Sequence, residues 1–363
     1  MDDSQFIEYL LEKRVMRKTE NMDNLHNIYA SKYAKWIREY LNKKQIDKVP
    51  IFLACNTLYK LPDTFKIREN SFFVGDYGLF NYLYDWNYVL SNDNFHQFIV
   101  NLCIKQSIES YYLNDEIDIT YWLCLHSDGL EEYKTEEYYN REIMTLFVDR
   151  TDIQEKFTML HEAGHYLFRF INREKAIEQI KEIHEEFIKI NKMKLPIENK
   201  GNNYDLDQKL YEECYCDLQA AQNIVQQFNE HESNAIGEWY MLLLNTLFYV
   251  YILGYINTIS LKNGTDCESY FDYQLWELTY RIGNMYIAFY AKLLEQENEQ
   301  EMELLNKVYT EFVHMFSGRM KEVREIMSYI KAIINENRHD IENNFDVNDV
   351  SKINFIKEYL NLL

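Results

Sequence analysis

Three prolines and ten glycines are all that a chain of 363 residues contains. So few breakers exclude a protein made of tight turns and many short strands, and they leave room for long helices. Positive charge is short as well. The chain has 38 Lys and Arg against 59 Asp and Glu, a formal net charge of −21. Such a surface repels phosphate backbones, so no nucleic-acid partner is expected; it favours solubility and suits a basic protein substrate. The six cysteines, Cys55, Cys103, Cys124, Cys214, Cys216 and Cys267, include no CxxC and no paired framework. They read as reduced thiols in a reducing compartment. Met1-Asp2-Asp3-Ser4-Gln5 lacks the basic stretch and apolar run of a signal peptide, and a cytoplasmic location is expected. Only one long apolar run occurs, at 235–259, and Glu238, Asn245 and Asn257 interrupt it. A membrane span needs about twenty apolar residues with basic flanks. This run reads as a buried core helix, with membrane association the weaker alternative.

What is present is a globular composition, 47% hydrophobic, long enough for a substantial core and up to two domains. Helical spacing covers 4–45, 82–90, 95–112, 174–194, 206–228, 271–295 and 299–336, and the tail 344–363 reads as a short helix. Strand formers cluster at 49–55, 71–75, 117–125 and 142–148, and the last two are expected to pair. Polar stretches at 127–139 and 196–205 read as loops. The expected fold class is mainly α (α+β). The expected organisation is an N-terminal helical segment at 1–45, a core at 46–230 and a C-terminal helical region at 231–363 packed on that core.

One pentapeptide carries chemistry: His161-Glu162-Ala163-Gly164-His165 reads H-E-x-x-H. Thr151 and Gln154 form a capping-box pattern, and Ile153, Phe157, Leu160, Leu167, Phe168 and Ile171 continue at helical spacing. The motif is therefore expected in a helix that starts near 151 and follows the strand at 142–148. Two histidines four apart share a helix face, so both imidazoles can turn to one metal ion. Glu162 beside them is placed to act as the base toward a water. No histidine occurs in 166–176, which argues against a three-histidine site. The second charged cluster is Glu212-Glu213-Cys214-Tyr215-Cys216-Asp217, in a helix expected from about 206 to 228. Glu213 and Asp217 share a face; Leu210, Cys214, Leu218, Ala221 and Val225 form a neighbouring apolar stripe. The small pair Ala220-Ala221 would allow close approach to another helix. His231 and Tyr211 lie near this motif and read as structural.

HEAGH followed by ExxxD resembles the gluzincin metallopeptidases. Within them, the E-x-x-C-D-x-x-A form is most similar to the bacterial phage-exclusion Lit-type family, with the ImmA/IrrE-type peptidases second. The resemblance covers roughly 140–230. It implies a zincin-like core with a small sheet beside the HExxH helix, and a bound Zn2+ held by His161, His165 and Glu213. It also implies that Asp217 orients His161, that Glu162 is the catalytic base, and that the substrate is a protein or peptide. An edge strand of that sheet would take an extended peptide by strand addition. Glu212 is a rival ligand, but it lacks an acidic residue four positions on. The function so implied is hydrolysis of a peptide bond in a specific intracellular target, in phage defence or stress regulation. The alternatives are a metal-binding regulator without turnover and a membrane-associated helical protein.

Overall fold

The computed structural model describes residues 22–55, 62–67, 70–76, 78–92, 94–103, 134, 138, 140–191, 208–226, 236–261 and 267–344. Helices dominate. In chain order they are α1 (Met22–Lys43), α2 (Leu79–Asn92), α3 (Arg141–Phe168), α4 (Arg173–Asn191), α5 (Gln208–Val225), α6 (Ile236–Leu261), α7 (Cys267–Glu295) and α8 (Glu299–Asn344). Residues 95–103 are also helical. One small open sheet lies between α1 and α2 in sequence. Its strands are β1 (Ile51–Cys55), β2 (Asp63–Ile67) and β3 (Asn70–Asp76), in the order β1-β3-β2. β1 runs parallel to β3, with Ile51 opposite Phe72; β2 runs antiparallel to it, with Thr64 opposite Phe73. The strands expected at 49–55 and 71–75 are thus β1 and β3. The strand expected at 117–125, the loop at 196–205 and the tail at 344–363 lie outside the described residues apart from Asn344.

The segment 142–148 is not a strand. It forms the first two turns of α3, and Asn140 caps it by accepting the Glu142 N–H at 2.9 Å. Phe147 is buried, edge-on to Tyr84 and Tyr88; Met144, Leu146 and Val148 stay exposed. Thr151 and Gln154 consequently cap nothing. Both are buried mid-helix, where Asn87 Nδ2 of α2 donates to Thr151 Oγ1 (3.1 Å) and Gln154 Oε1 (2.6 Å). Gln154 Nε2 donates in turn to the Leu242 carbonyl of α6 at 3.2 Å. Residues that looked like a local cap tie three helices together.

α3 is the central element. It packs against α5, α2, α1 and α6, and against β2 and β3. One hydrophobic cluster takes residues from all eight named helices and from β3, so it runs through the three segments expected from sequence. Trp86 centres one part of it, ringed by Phe95, Phe98, Phe248 and Tyr249, with its indole N–H on the Asn245 carbonyl at 2.9 Å. α6 is long and apolar enough to cross a membrane by composition, yet 72% of that window is buried within the fold. Asn caps recur: Asn172 Oδ1 accepts from Lys175 at the start of α4, and Asn298 Oδ1 from Glu301 at the start of α8. α1 ends through Gln45 at φ 59°, with the Ile46 N–H returning to the Leu41 carbonyl at 3.0 Å. That turn directs the chain into β1.

Candidate metal centre

α3 and α5 make the site. Gly164 is what lets them meet: a Cβ there would lie 2.9 Å from both Cα and Cβ of Cys216. The close approach rests on the second small residue of HEAGH, more than on Ala220-Ala221. At this crossing the registers run in opposite senses, so His161 faces Asp217 and Glu213, and His165 faces Glu213 and Glu212.

The rings are held from behind. His161 Nδ1 lies 2.8 Å from Asp217 Oδ1, and His165 Nδ1 lies 3.0 Å from Glu212 Oε1. Both Nε2 atoms turn to the same carboxylate: His161 Nε2 is 3.2 Å from Glu213 Oε2, and His165 Nε2 is 3.7 Å from Glu213 Oε1. Donor atoms of His161, His165 and Glu213 all lie within 4.8 Å of one another. The structure therefore brings together the expected ligand trio and places Asp217 on His161, where the resemblance put it. Glu212 has a different place from the one weighed for it. It sits on the far nitrogen of the second ring.

Sequence reading missed Arg281, on α7. This buried guanidinium donates from Nε to Asp217 Oδ2 at 2.6 Å and from Nη2 to Asp217 Oδ1 at 2.9 Å; its Nη1 lies 3.5 Å from Glu213 Oε2. No spacing rule links it to α5, 64 residues away. Its one visible signal is an arginine among apolar residues of an otherwise core-facing helix.

The charges explain the geometry. Burial alone would push the Asp217 carboxyl up, but Arg281 and His161 hold it below the ordinary value. An ionised Asp217 accepts, so His161 carries a proton on Nδ1 and presents Nε2 to the cavity. Burial opposes Glu213 in the same way; the hydrogen bond from His161 and the charge of Arg281 hold its carboxyl well below the usual range. Desolvation pulls His161 down, but the charge and hydrogen bond of Asp217, with that of Glu213, raise it to about 10. The cradle thus demands a cation at Nε2, which a proton or a metal ion satisfies. Two imidazole nitrogens plus one carboxylate, each ring fixed through its other nitrogen, is a donor set that fits Zn2+.

Beside the trio is a cavity of about 120 Å³. Glu162 lines it together with His161, His165, Glu213 and Arg281, and Phe157, Leu247 and Val250 supply apolar wall. The Glu162 backbone carbonyl accepts from Thr64 Oγ1 at 2.9 Å, which fixes α3 to the edge strand β2. Tyr211 lies under the Lys181 ammonium, 5.4 Å from its ring centre, and is not in the cavity wall. His231 lies outside the described residues. Cys214 and Cys216 are buried free thiols, and desolvation pushes both well above the ordinary value, so neither is a reactive thiolate. No family model, no curated protein and no solved structure matches this chain.

Proposed function

We propose that this chain is an intracellular zinc-dependent endopeptidase of the gluzincin type, acting on a specific protein or peptide. The observation that carries the reading is the convergence of His161, His165 and Glu213 within 4.8 Å, with a carboxylate behind each imidazole and Glu162 in the adjoining cavity wall. Structural carboxylate clusters have no need of a base beside an open space, and a binding scaffold has no use for one.

His161, His165 and Glu213 would hold the metal. When bound, zinc supplies Lewis acidity: it polarises a carbonyl oxygen and lowers the pKa of a water. Glu162 takes a proton from the attacking water and delivers it to the leaving amine. Asp217 and Glu212 keep the two imidazoles in one tautomer and orientation. Arg281 holds Asp217 ionised through burial. Phe157, Leu247 and Val250 exclude bulk water from one side, which strengthens every charge interaction in the cavity. The likeness of the E-x-x-C-D-x-x-A segment to the Lit-type peptidases supports a role in phage defence, with stress regulation the second setting and the cytoplasm the location.

The deciding experiment is elemental analysis of the purified chain together with cleavage of a mixed peptide library. The wild type is expected to bind one zinc per chain and to cleave. Glu162→Gln is expected to keep the zinc and lose at least about a hundredfold in turnover. A wild type without affinity for zinc ends the reading; a zinc-loaded wild type that cleaves nothing in the library or in whole-cell extract leaves only a metal-binding regulator.

A further inference from the structure

A second cavity lies at the opposite edge of the sheet from β2. It measures about 800 Å³ and runs between α1 and the start of β1. Ser31, Lys35, Arg38 and Asn42 recur at helical spacing along one wall with Glu39 beside them, and Ile51 and Phe52 form the other. From 31 to 42 the helical wall is about 16 Å long.

Its charge contrasts with the molecule. Lys35 and Arg38 line it against one carboxylate, Glu39, in a chain whose net charge is −21. No carboxylate of the described residues pairs with Lys35 or Arg38; Arg38 instead lies over the Phe52 ring, 5.6 Å from its centre. Two exposed cations therefore stand beside one exposed carboxylate, an excess of positive charge that an anionic guest stabilises. Ile51, 46% exposed, adds an apolar contact beside them. Finally, β1 hydrogen-bonds to β3 on one side only and meets no strand on the other among the described residues.

We propose that this groove docks an extended acidic polypeptide segment of a partner protein. The length suits about five residues of strand at 3.3 Å each. Side chains alternate along a strand, so carboxylates on the face toward α1 meet Lys35 and Arg38 while apolar side chains on the other face meet Ile51. A long polyanion such as nucleic acid suffers repulsion from the rest of this acidic surface, and a short segment with few charges suffers far less. The groove shares no residue with the metal centre, so the proposal goes beyond the hydrolase reading and is tested apart from it.

The probe is a rhodamine-labelled octapeptide of alternating Glu and Val, titrated with the full chain in EDTA and read by fluorescence anisotropy. Its lysine–valine counterpart and a twenty-nucleotide oligothymidine run beside it. Binding of the acidic peptide is expected. The double variant Lys35→Glu/Arg38→Glu is expected to weaken it about tenfold or more, and Ile51→Asp to weaken it independently. All three positions are exposed, so unchanged circular dichroism melts will show that the variants are folded. No binding below about 1 mM, equal binding by the variants, or equal binding of the lysine peptide overturns the proposal. Tighter binding of oligothymidine overturns it in favour of a nucleic-acid surface. A dimer in sedimentation that the double variant dissolves overturns it in favour of a second copy of this chain.

Discussion

Glu212 and Glu213 are one residue apart, about 100° of helix rotation, and that rotation gives them different partners. Glu213 lies between both Nε2 atoms, whereas Glu212 touches only His165 Nδ1. Glu213→Ala is therefore expected to abolish measurable zinc binding, and Glu212→Ala to weaken it about ten- to a hundredfold. Chelator competition on the two purified variants checks this, and the reverse order would move the ligand to Glu212. The preference for Glu213 was legible in its spacing to Asp217. The role of Glu212 was not, because its partner lies 47 residues away in sequence, on a helix whose crossing sense no local pattern encodes. His184 on α4 makes a different residue-scale case. It is buried, stacked on Tyr280 at 3.8 Å, and neither ring nitrogen has a hydrogen-bond partner among the described residues. Burial pushes its pKa down to about 4, against about 6.5 unfolded. The unfolded state then takes the proton first, so stability is intact above pH 6.5 and falls as pH drops toward 4, by about 3 kcal/mol at most. His184→Phe is expected to flatten that acid limb in urea titrations at a series of pH values, and to raise stability at neutral pH by removing two unpaired polar atoms. An unchanged limb would mean that the imidazole is already solvated.

The α3–α5 crossing decides at the scale of elements whether there is a site. Helix propensity favours Gly164→Ala by about 1 kcal/mol. Packing opposes it, because the added Cβ meets Cys216 Cα at 2.9 Å, and backbone gives way less readily than a side-chain tip. Overpacking of this kind costs about 1–3 kcal/mol, so the variant is expected to be less stable. It should also bind zinc more weakly, since Glu213 recedes from both imidazoles together. Thermal melts of the metal-free chain read the first effect and chelator competition reads the second; a gain in both would show that the helices have slack. Long helices such as α4, α7 and α8 were readable, because breakers are scarce and apolar spacing is regular. The strand expected at 142–148 was misread for a physical reason. Its Ile, Thr, Phe and Val favour strands in isolation, but Asn140 caps a helix there and Phe147 finds a core contact against Tyr84 and Tyr88. The Thr151/Gln154 pattern compounded the error, since the same side chains that cap a helix also bridge helices once buried.

For the molecule as a whole, the mainly helical class was legible and the assembly was not. Composition gives long helices and a small sheet, but nothing in it reveals that Arg281, from the last third of the chain, locks Asp217 behind His161. Such a contact joins two helices without a shared motif, and only the continuous core makes it visible. The net charge has a consequence at the same scale. At −21 the surface repels itself over distances that salt can screen, with a Debye length near 30 Å at 0.01 M and about 10 Å at 0.1 M. The short buried and half-buried pairs lie well inside either length: Arg281 to Asp217 at 2.6 Å and Lys32 to Glu155 at 2.5 Å. Screening should therefore remove repulsion while leaving those attractions nearly intact. In EDTA at pH 7.5, where metal release plays no part, raising sodium chloride from 10 to 100 mM is expected to raise the unfolding midpoint. For a chain of this size, each 1 kcal/mol gained moves that midpoint by about 1–2 °C. Differential scanning calorimetry measures it directly. A midpoint that falls with salt would mean that exposed pairs such as Arg150–Glu238 outweigh the long-range repulsion, and that the excess of carboxylates is already neutralised by local pairing.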